Sequence, residues 1–338
     1  MRVAAFGRTR WLYDTILSLR DAGHQIVLIA TCAAAPEYTT REHDFERIAA
    51  ELDCRFICDA SLNRPEYLEL TRSLRVDIGV SVNWSTLIGA QMIESIPHGI
   101  VNAHAGDLPR FRGNACPNWA ILSGEPCVVL TFHRMSEDLD AGPILLKKAL
   151  PISDKSYIGD VYAFLDEAIP SGFVEAVDGL ESGKLIPVAQ SLDPKNALRC
   201  FPRLPEDGKI DWMQSAQAIA ALVRASAEPF SGAYSYRGEE KLIVWRARDA
   251  ELPYPAMGVC GQVVRIDTER GEVDVLAGEG VLVLEEIEIG SKRCKASEVI
   301  RSTRTRLGDG TQARFAAMQS RISELERKLM VAGGDQSA

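Results

Sequence analysis

The sequence has 338 residues, 46% hydrophobic and 25% charged, with a formal net charge of −9; this predicts a globular protein of two domains. No apolar run approaches the roughly 18 residues that cross a bilayer and no apolar signal segment opens the chain, so a cytoplasmic protein without a membrane partner is expected. The acidic balance argues against nucleic acid, whose phosphates call for clustered Lys and Arg.

The opening rhythm is strand then helix. Arg2 to Gly7 (RVAAFG) reads as a buried strand, and Leu12, Ile16 and Leu19 at helical spacing predict a helix from Trp11 to Ala22 that Gly23 ends. Strands at Gln25 to Cys32, Arg55 to Cys58 and Asp77 to Val82 alternate with helices at Asp44 to Leu52 and Glu66 to Leu74. Such alternation implies an α/β fold, a parallel sheet with helices on both faces. Gly7 stands alone after the first strand, with no Gly-x-Gly-x-x-Gly and no Walker-type loop, so dinucleotide chemistry is not expected. Ser81 to Ile88 follows the fourth strand, with Ser85 or Thr86 able to cap a helix start.

The stretch from Ile100 to Gly142 carries the chemistry. Asn102 and His104 end an apolar run and, two residues apart on a strand, share a face. A carboxamide can donate to a developing oxyanion, an imidazole can manage a proton, and the loop Ser136 to Asp140 can supply a carboxylate. That is equipment for acyl or formyl transfer to an amine. Asp107-Leu108-Pro109 and Arg112-Gly113 form the irregular loop after the strand, where open α/β sheets bind ligands. Pro117 to Leu122 reads as a helix, with Trp119 either a core aromatic or a contact. Val128 to Met135 and Ile144 to Ile152 read as strands around the Asp140 loop, with His133 as a satisfied structural histidine. Cys116 is taken as distant from His104. The eight cysteines lack a Cys-x-x-Cys pair and the five histidines lack ligand spacing, which predicts reduced thiols and no metal.

A long helix is expected from Tyr157 to Leu180, with Val161, Phe164, Leu165 and Ala168 on one stripe. The Pro- and Gly-rich stretch after it reads as a linker. Beyond it come a helix from Ser215 to Ala225 and short alternating strands at Gln262 to Ile266, Glu272 to Ala277 and Val281 to Ile289, the pattern of a small β-barrel. Phe315, Met318, Ile322, Leu325 and Leu329 at 3–4 spacing predict a tail helix, Arg314 to Leu329, able to pack on its own domain or to join two subunits as a homodimer. Gly333 to Ala338 is expected to be disordered.

Asn102, His104, Leu108, Pro109, Arg112, Gly113, Asp140 and Gly142 together resemble the formyltransferases that use 10-formyltetrahydrofolate, over about residues 1 to 307. Gly106 and Asp107 depart from that family's Ser-Leu. Pro117-Asn118-Trp119 and the run from Val223 to Leu252 look like the sugar N-formyltransferase branch, in particular the aminoarabinose enzyme of lipopolysaccharide biosynthesis. The resemblance implies a Rossmann-like formyltransferase domain (1–185), a linker (186–204), an OB-like β-barrel domain (205–308) and a C-terminal helix (309–332). It implies Asn102, His104 and Asp140 as the catalytic trio. Cofactor contacts would come from Thr86, Leu87, Ile88, Asn114, Ser136, Glu137, Asp138 and Leu139, and substrate contacts from Arg112, Asn118 and Trp119. Asn114 stands where the aminoarabinose enzyme has a folate-contacting arginine. The implied reaction moves a formyl group from 10-formyltetrahydrofolate to the amine of a nucleotide-linked amino sugar. The alternatives are methionyl-tRNA formyltransferase, for which Lys292, Arg293 and Lys295 interleaved with Glu285, Glu286 and Glu288 make a poor phosphate track, and a non-catalytic folate-binding protein.

Overall fold

Strand β1 (Arg2–Gly7) is buried from Val3 onward and, apart from the short β3 (Arg55–Cys58), of which only Ile57 is buried, the strands β2 (Gln25–Thr31), β4 (Ile78–Val82) and β5 (Ile100–His104) are likewise almost wholly buried without alternation. Such strands are stable only when both faces are covered. Helices α1 (Arg10–Asp21), α2 (Glu42–Glu51), α3 (Pro65–Ser73) and α4 (Ala90–Glu94) lie between them in sequence, and α1 buries Leu12, Ile16 and Leu19 completely. The computed structural model describes residues 1–334 except Glu37, Leu192, Pro253, Pro255 and Asp309; the side chains of 311–314, 317 and 328–334 lie outside the described set.

After β5 the chain forms the short β6 (Arg112–Gly113), α5 (Cys116–Leu122), β7 (Cys127–Arg134), β8 (Ile144–Pro151), α6 (Ile158–Glu181) and β9 (Arg199–Cys200). The main sheet has the order β3-β2-β1-β4-β5-β7-β8. Its first five strands are parallel, while β5–β7 and β7–β8 are antiparallel. The last pair departs from the expected parallel pattern because only the loop 135–143 joins it, too short for a crossover. The chain turns from one side of β1 to the other at β4, and this reversal opens a crevice at the carboxyl ends of the strands. Helix α6 sets Phe173 edge-on against Phe132, ring centroids 5.1 Å apart, with Gly172 beneath the Phe132 ring where a side chain would collide.

No helix starts at Ser85 or Thr86. Helix α4 begins after Gly89, and the Thr86 hydroxyl instead donates to Ala60 O at 2.6 Å and accepts from Trp84 Nε1 at 3.0 Å.

The chain divides into two compact units, Met1–Ser156 with Asp160–Arg203, and Tyr157–Gly159 with the residues from Leu204 on. The stretch 186–204, which reads as a linker from composition, is held mostly within the first unit. Val188 and Ile144 exchange two backbone hydrogen bonds of 2.8 Å, Gln190 is buried, and β9 pairs with β6.

In the second unit α7 (Ala216–Ser226) is capped by Ser215, whose Oγ accepts from Ala218 N at 3.1 Å. The strands β10 (Ala233–Arg237), β11 (Glu240–Ala250), β12 (Val263–Asp267), β13 (Glu272–Leu276), β14 (Val281–Ile289) and β15 (Lys292–Lys295), then helix α8 (Ala296–Val299) and β16 (Leu307–Gly308), complete it. They form an antiparallel sheet of order β12-β13-β14-β11-β10-β16, with β15 on β14. Its ends meet through the Gln262–Arg306 bridge and a 2.7 Å bond from Leu307 N to Gly261 O, which curls the sheet toward a barrel and hides its edges. Val244, Val263, Val273, Leu282 and Leu284 fill the interior with no exposed surface. The final helix, α9, runs Thr311–Gly334, so Gly333 and Gly334 are helical; 335–338 lie outside the described residues. Among the described residues no helix is long and apolar enough to cross a membrane.

Candidate active site

The crevice in the first unit is a cleft of about 380 Å³ at the carboxyl ends of β1, β4 and β5, lined by Arg8, Ser81, Asn102 and His104 among others. Antiparallel pairing sets Asn102 opposite His133 and His104 opposite Thr131. Opposed residues project to one face, so Asn102, His104 and His133 converge, with the two imidazole rings 6.3 Å apart and nearly perpendicular. Asp140 enters from the β7–β8 loop in a left-handed conformation, φ 52°. Its Oδ2 lies 3.6 Å from His104 Nδ1 and its Oδ1 lies 3.7 Å from His133 Nε2. Gly113 N donates to Asp140 Oδ2 at 2.8 Å, which anchors the carboxylate.

Hydrogen-bond partners assign the tautomers. His104 Nε2 faces Phe111 O at 2.6 Å, an acceptor only, so Nε2 carries hydrogen and Nδ1 is the nitrogen left to take a proton. His133 Nδ1 likewise faces Arg134 O at 3.0 Å, leaving its Nε2 to accept from Asn102 Nδ2 at 3.2 Å. One of the two Asn102 amide hydrogens is thereby committed and the other is left for the cleft. His133 is buried as expected of a structural histidine, yet its partner is Asn102. The signal missed in the sequence was the pairing of β7 with β5.

Burial holds the His133 pKa down at about 4, with His104 acting in the same direction and Asp140 opposing both. As pH falls, the unfolded chain therefore binds this proton before the folded one. The stability tied to a neutral His133 is complete above the ordinary pKa of 6.5 and is lost as pH falls to about 4. Thermal melts across that window should show the wild type losing Tm more steeply than His133→Gln. Parallel curves for the two proteins would contradict this assignment.

Thr86, Leu87, Ile88, Asn114, Asn118 and the run Ser136 to Leu139 all line the cleft. Arg112 and Trp119 do not. Arg112 donates to Gln190 Oε1 at 2.8 Å, and Gln190 Nε2 donates to Asp140 O at 2.9 Å and Gly142 O at 2.7 Å, so Arg112 braces the Asp140 loop from behind. Trp119 Nε1 donates to Phe201 O at 2.9 Å and its ring meets Arg203. Both orientations follow from the return of 186–203 onto this unit.

The formyl transferase model matches residues 1–177 and the formyl transferase C-terminal domain model matches residues 204–304. The chain belongs to the formyl transferase family. A methionyl-tRNA formyltransferase from Citrifermentans bemidjiense is 28% identical over 306 residues, covering 89% of this chain and 93% of its own. The solved structure of WlaRD, a sugar 3N-formyltransferase, in the presence of dTDP and 5-N-formyl-THF, matches with TM-score 0.62 at 13% identity, covering 86% of this chain and 98% of that one. An N-formyltransferase from Helicobacter canadensis in complex with folinic acid and dTDP-3-aminofucose matches with TM-score 0.61 at 12% identity, over 84% and 98%. HypX from Aquifex aeolicus in complex with tetrahydrofolic acid matches with TM-score 0.55 at 17% identity; the match covers 90% of this chain and 47% of HypX, so the chain spans about half of that protein. These structural likenesses establish a shared fold.

Local packing accounts for the formyltransferase's departures from the family pattern. A Cβ at position 106 would collide with Phe111 O and His104 Nε2, so only glycine lets the loop close over the imidazole. Thr131 Oγ1 holds that loop by donating to Gly106 O at 2.7 Å. Asp107 points outward to Lys147 Nζ, 2.6 Å away. Cys116 is not distant from His104 after all: its Sγ lies 3.7 Å from Nε2 and donates to Phe111 O at 2.9 Å. Burial pushes that thiol's pKa far up, so it remains protonated and is no nucleophile. Among the described residues, the one histidine–carboxylate grouping with ligand-like spacing is His24, Asp178 and Glu181. Two of the three contact the Met1 ammonium, His24 Nδ1 at 3.2 Å and Glu181 Oε1 at 3.1 Å, and Asp178 Oδ1 pairs with His24 Nε2 at 3.0 Å.

Proposed function

We propose that this formyltransferase moves a formyl group from 10-formyltetrahydrofolate to the amine of a nucleotide-linked amino sugar, with Asn102, His104 and Asp140 as the working trio. The observation that carries the reading is their convergence on one wall of the cleft, with a free amide hydrogen on Asn102 and a free Nδ1 on His104. The cleft suits a polar co-substrate. Ser81 Oγ is buried in its wall without a hydrogen-bond partner, and its strand neighbour is Asn102. Main-chain groups of Thr86, Leu87 and Ile88, with Asn114 and Ser136 to Leu139, would hold the pterin and its neighbours.

The co-substrate supplies the formyl carbon to which the amine adds. Asn102 Nδ2 donates its second hydrogen to the oxygen as negative charge develops there. His104 Nδ1 takes the proton from the amine, and Asp140, 3.6 Å away, stabilises the imidazolium until the proton passes to the departing nitrogen. The reaction balances as direct transfer with no covalent enzyme species.

The sugar substrate is favoured over tRNA by charge. From Leu204 on, 21 acidic residues face 18 basic ones, and Arg237, Arg248, Arg265 and Arg293 are tied to carboxylates. A phosphate track needs the opposite balance. The 28% identity to a methionyl-tRNA formyltransferase keeps charged initiator tRNA as the second reading. Incubating the protein and 10-formyltetrahydrofolate with UDP-, dTDP- and GDP-linked amino sugars, and separately with charged initiator tRNA, should give formylated sugar. Formylated tRNA with no sugar product would reverse the assignment.

A further inference from the structure

Helix α9 lies beyond the last residue matched by either family domain, 304, and runs Thr311–Gly334, 24 residues or about 36 Å. Phe315, Met318, Ile322 and Leu325 are 65%, 65%, 54% and 44% exposed. Gln319, Arg321, Glu326 and Arg327 on its other faces are exposed as well, and Glu324 is half-buried. The helix thus presents an apolar stripe that its own unit does not cover.

The spacing of that stripe is informative. Steps of three, four and three residues put Phe315 and Ile322 at heptad position a and Met318 and Leu325 at d, and the sequence continues with Leu329 at a. This is the narrow seam of a coiled coil, where a helix packed on a globular core would show a wider apolar face. Ile at a followed by Leu at d, as in Ile322 and Leu325, favours two parallel strands. The flanking charges choose the same arrangement. Every g position, Arg314, Arg321 and Lys328, is basic, so an antiparallel pair would set basic residues against basic residues. A parallel in-register pair sets Arg321 of one helix against Glu326 of the other, twice by symmetry. Arg321 is engaged by Glu324 of its own chain at 2.8 Å, an exposed pair of small worth that can exchange.

We propose that α9 is a dimerisation element that forms a parallel, in-register, two-stranded coiled coil with a second copy of this chain. The proposal is independent of the substrate, because no residue of α9 belongs to the cleft.

Sedimentation of the full-length protein over a wide concentration series tests it. The expected wild-type limit at high concentration is twice the 37.1 kDa chain mass. Ile322→Asp combined with Leu325→Asp should sediment as a monomer while formyl transfer by the monomer persists. Glu326→Arg, which turns both cross-chain pairs repulsive, should weaken the dimer by roughly tenfold. Arg321→Glu combined with Glu326→Arg should restore it. A wild-type monomer throughout, or a dimer that survives the double aspartate change, overturns the proposal. Failure of the charge exchange to restore association overturns the parallel register.

Discussion

Asn102→Ala should lower kcat for formyl transfer by about 10²–10³-fold, the usual cost of removing one oxyanion donor, with Tm and circular dichroism close to wild type. Two features set this expectation. Asn102 lies mid-way along β5 but is only partly buried, facing the cleft, so its truncation opens no cavity in the core. Its Nδ2 is oriented by a neutral His133 whose own Nδ1 is spent on Arg134 O, so the donor is fixed before any substrate arrives. An interaction formed only as charge develops lowers kcat and leaves KM nearly unchanged. A kcat within a few fold of wild type, or a loss confined to KM, would remove Asn102 from the oxyanion. His133→Gln should show a smaller loss of the same kind, since a glutamine can still accept from Asn102 with less rigid placement.

Much of this site is legible in the sequence. Asn102 and His104 share a face because a strand has period two, and β1, β2 and β4 are nearly continuous apolar runs that only a doubly covered sheet can hold. What was not legible depended on contacts between distant segments. His133 became a partner of Asn102 through the β5–β7 pairing, and the sequence showed the strand without its register. The stretch 186–203 reads as a linker because the bonds that dock it are backbone bonds, Val188 to Ile144 and β9 to β6, and those of a single buried polar residue, Gln190, and these leave almost no mark on side-chain composition. Its return turns Arg112 and Trp119 away from the cleft, which no local pattern could reveal. Gly106 reads in sequence as a missing serine, whereas its packing against His104 and Phe111 O makes glycine a requirement.

Asp140 should be the most informative position to change, because its charge and its scaffolding role can be separated. Its carboxylate stands between two imidazoles and also accepts from Gly113 N at 2.8 Å, while its backbone sits at φ 52°. Asparagine tolerates that conformation and its Oδ1 can keep the Gly113 bond, so Asp140→Asn removes the charge with little disturbance of the loop. Alanine loses the bond and strains the backbone as well. The expected result is a fall in kcat of about 10²–10⁴-fold for both variants, the range typical of assisted proton transfer, with a lowered Tm for Asp140→Ala alone. Were the carboxylate needed only to hold the loop, Asp140→Asn would keep nearly full activity while Asp140→Ala failed in both measurements. Equal loss of kcat with unequal loss of Tm would instead locate the effect in the charge beside His104, whose Nδ1 faces the carboxylate at 3.6 Å and, unlike His133 Nε2, has no amide of Asn102 on it.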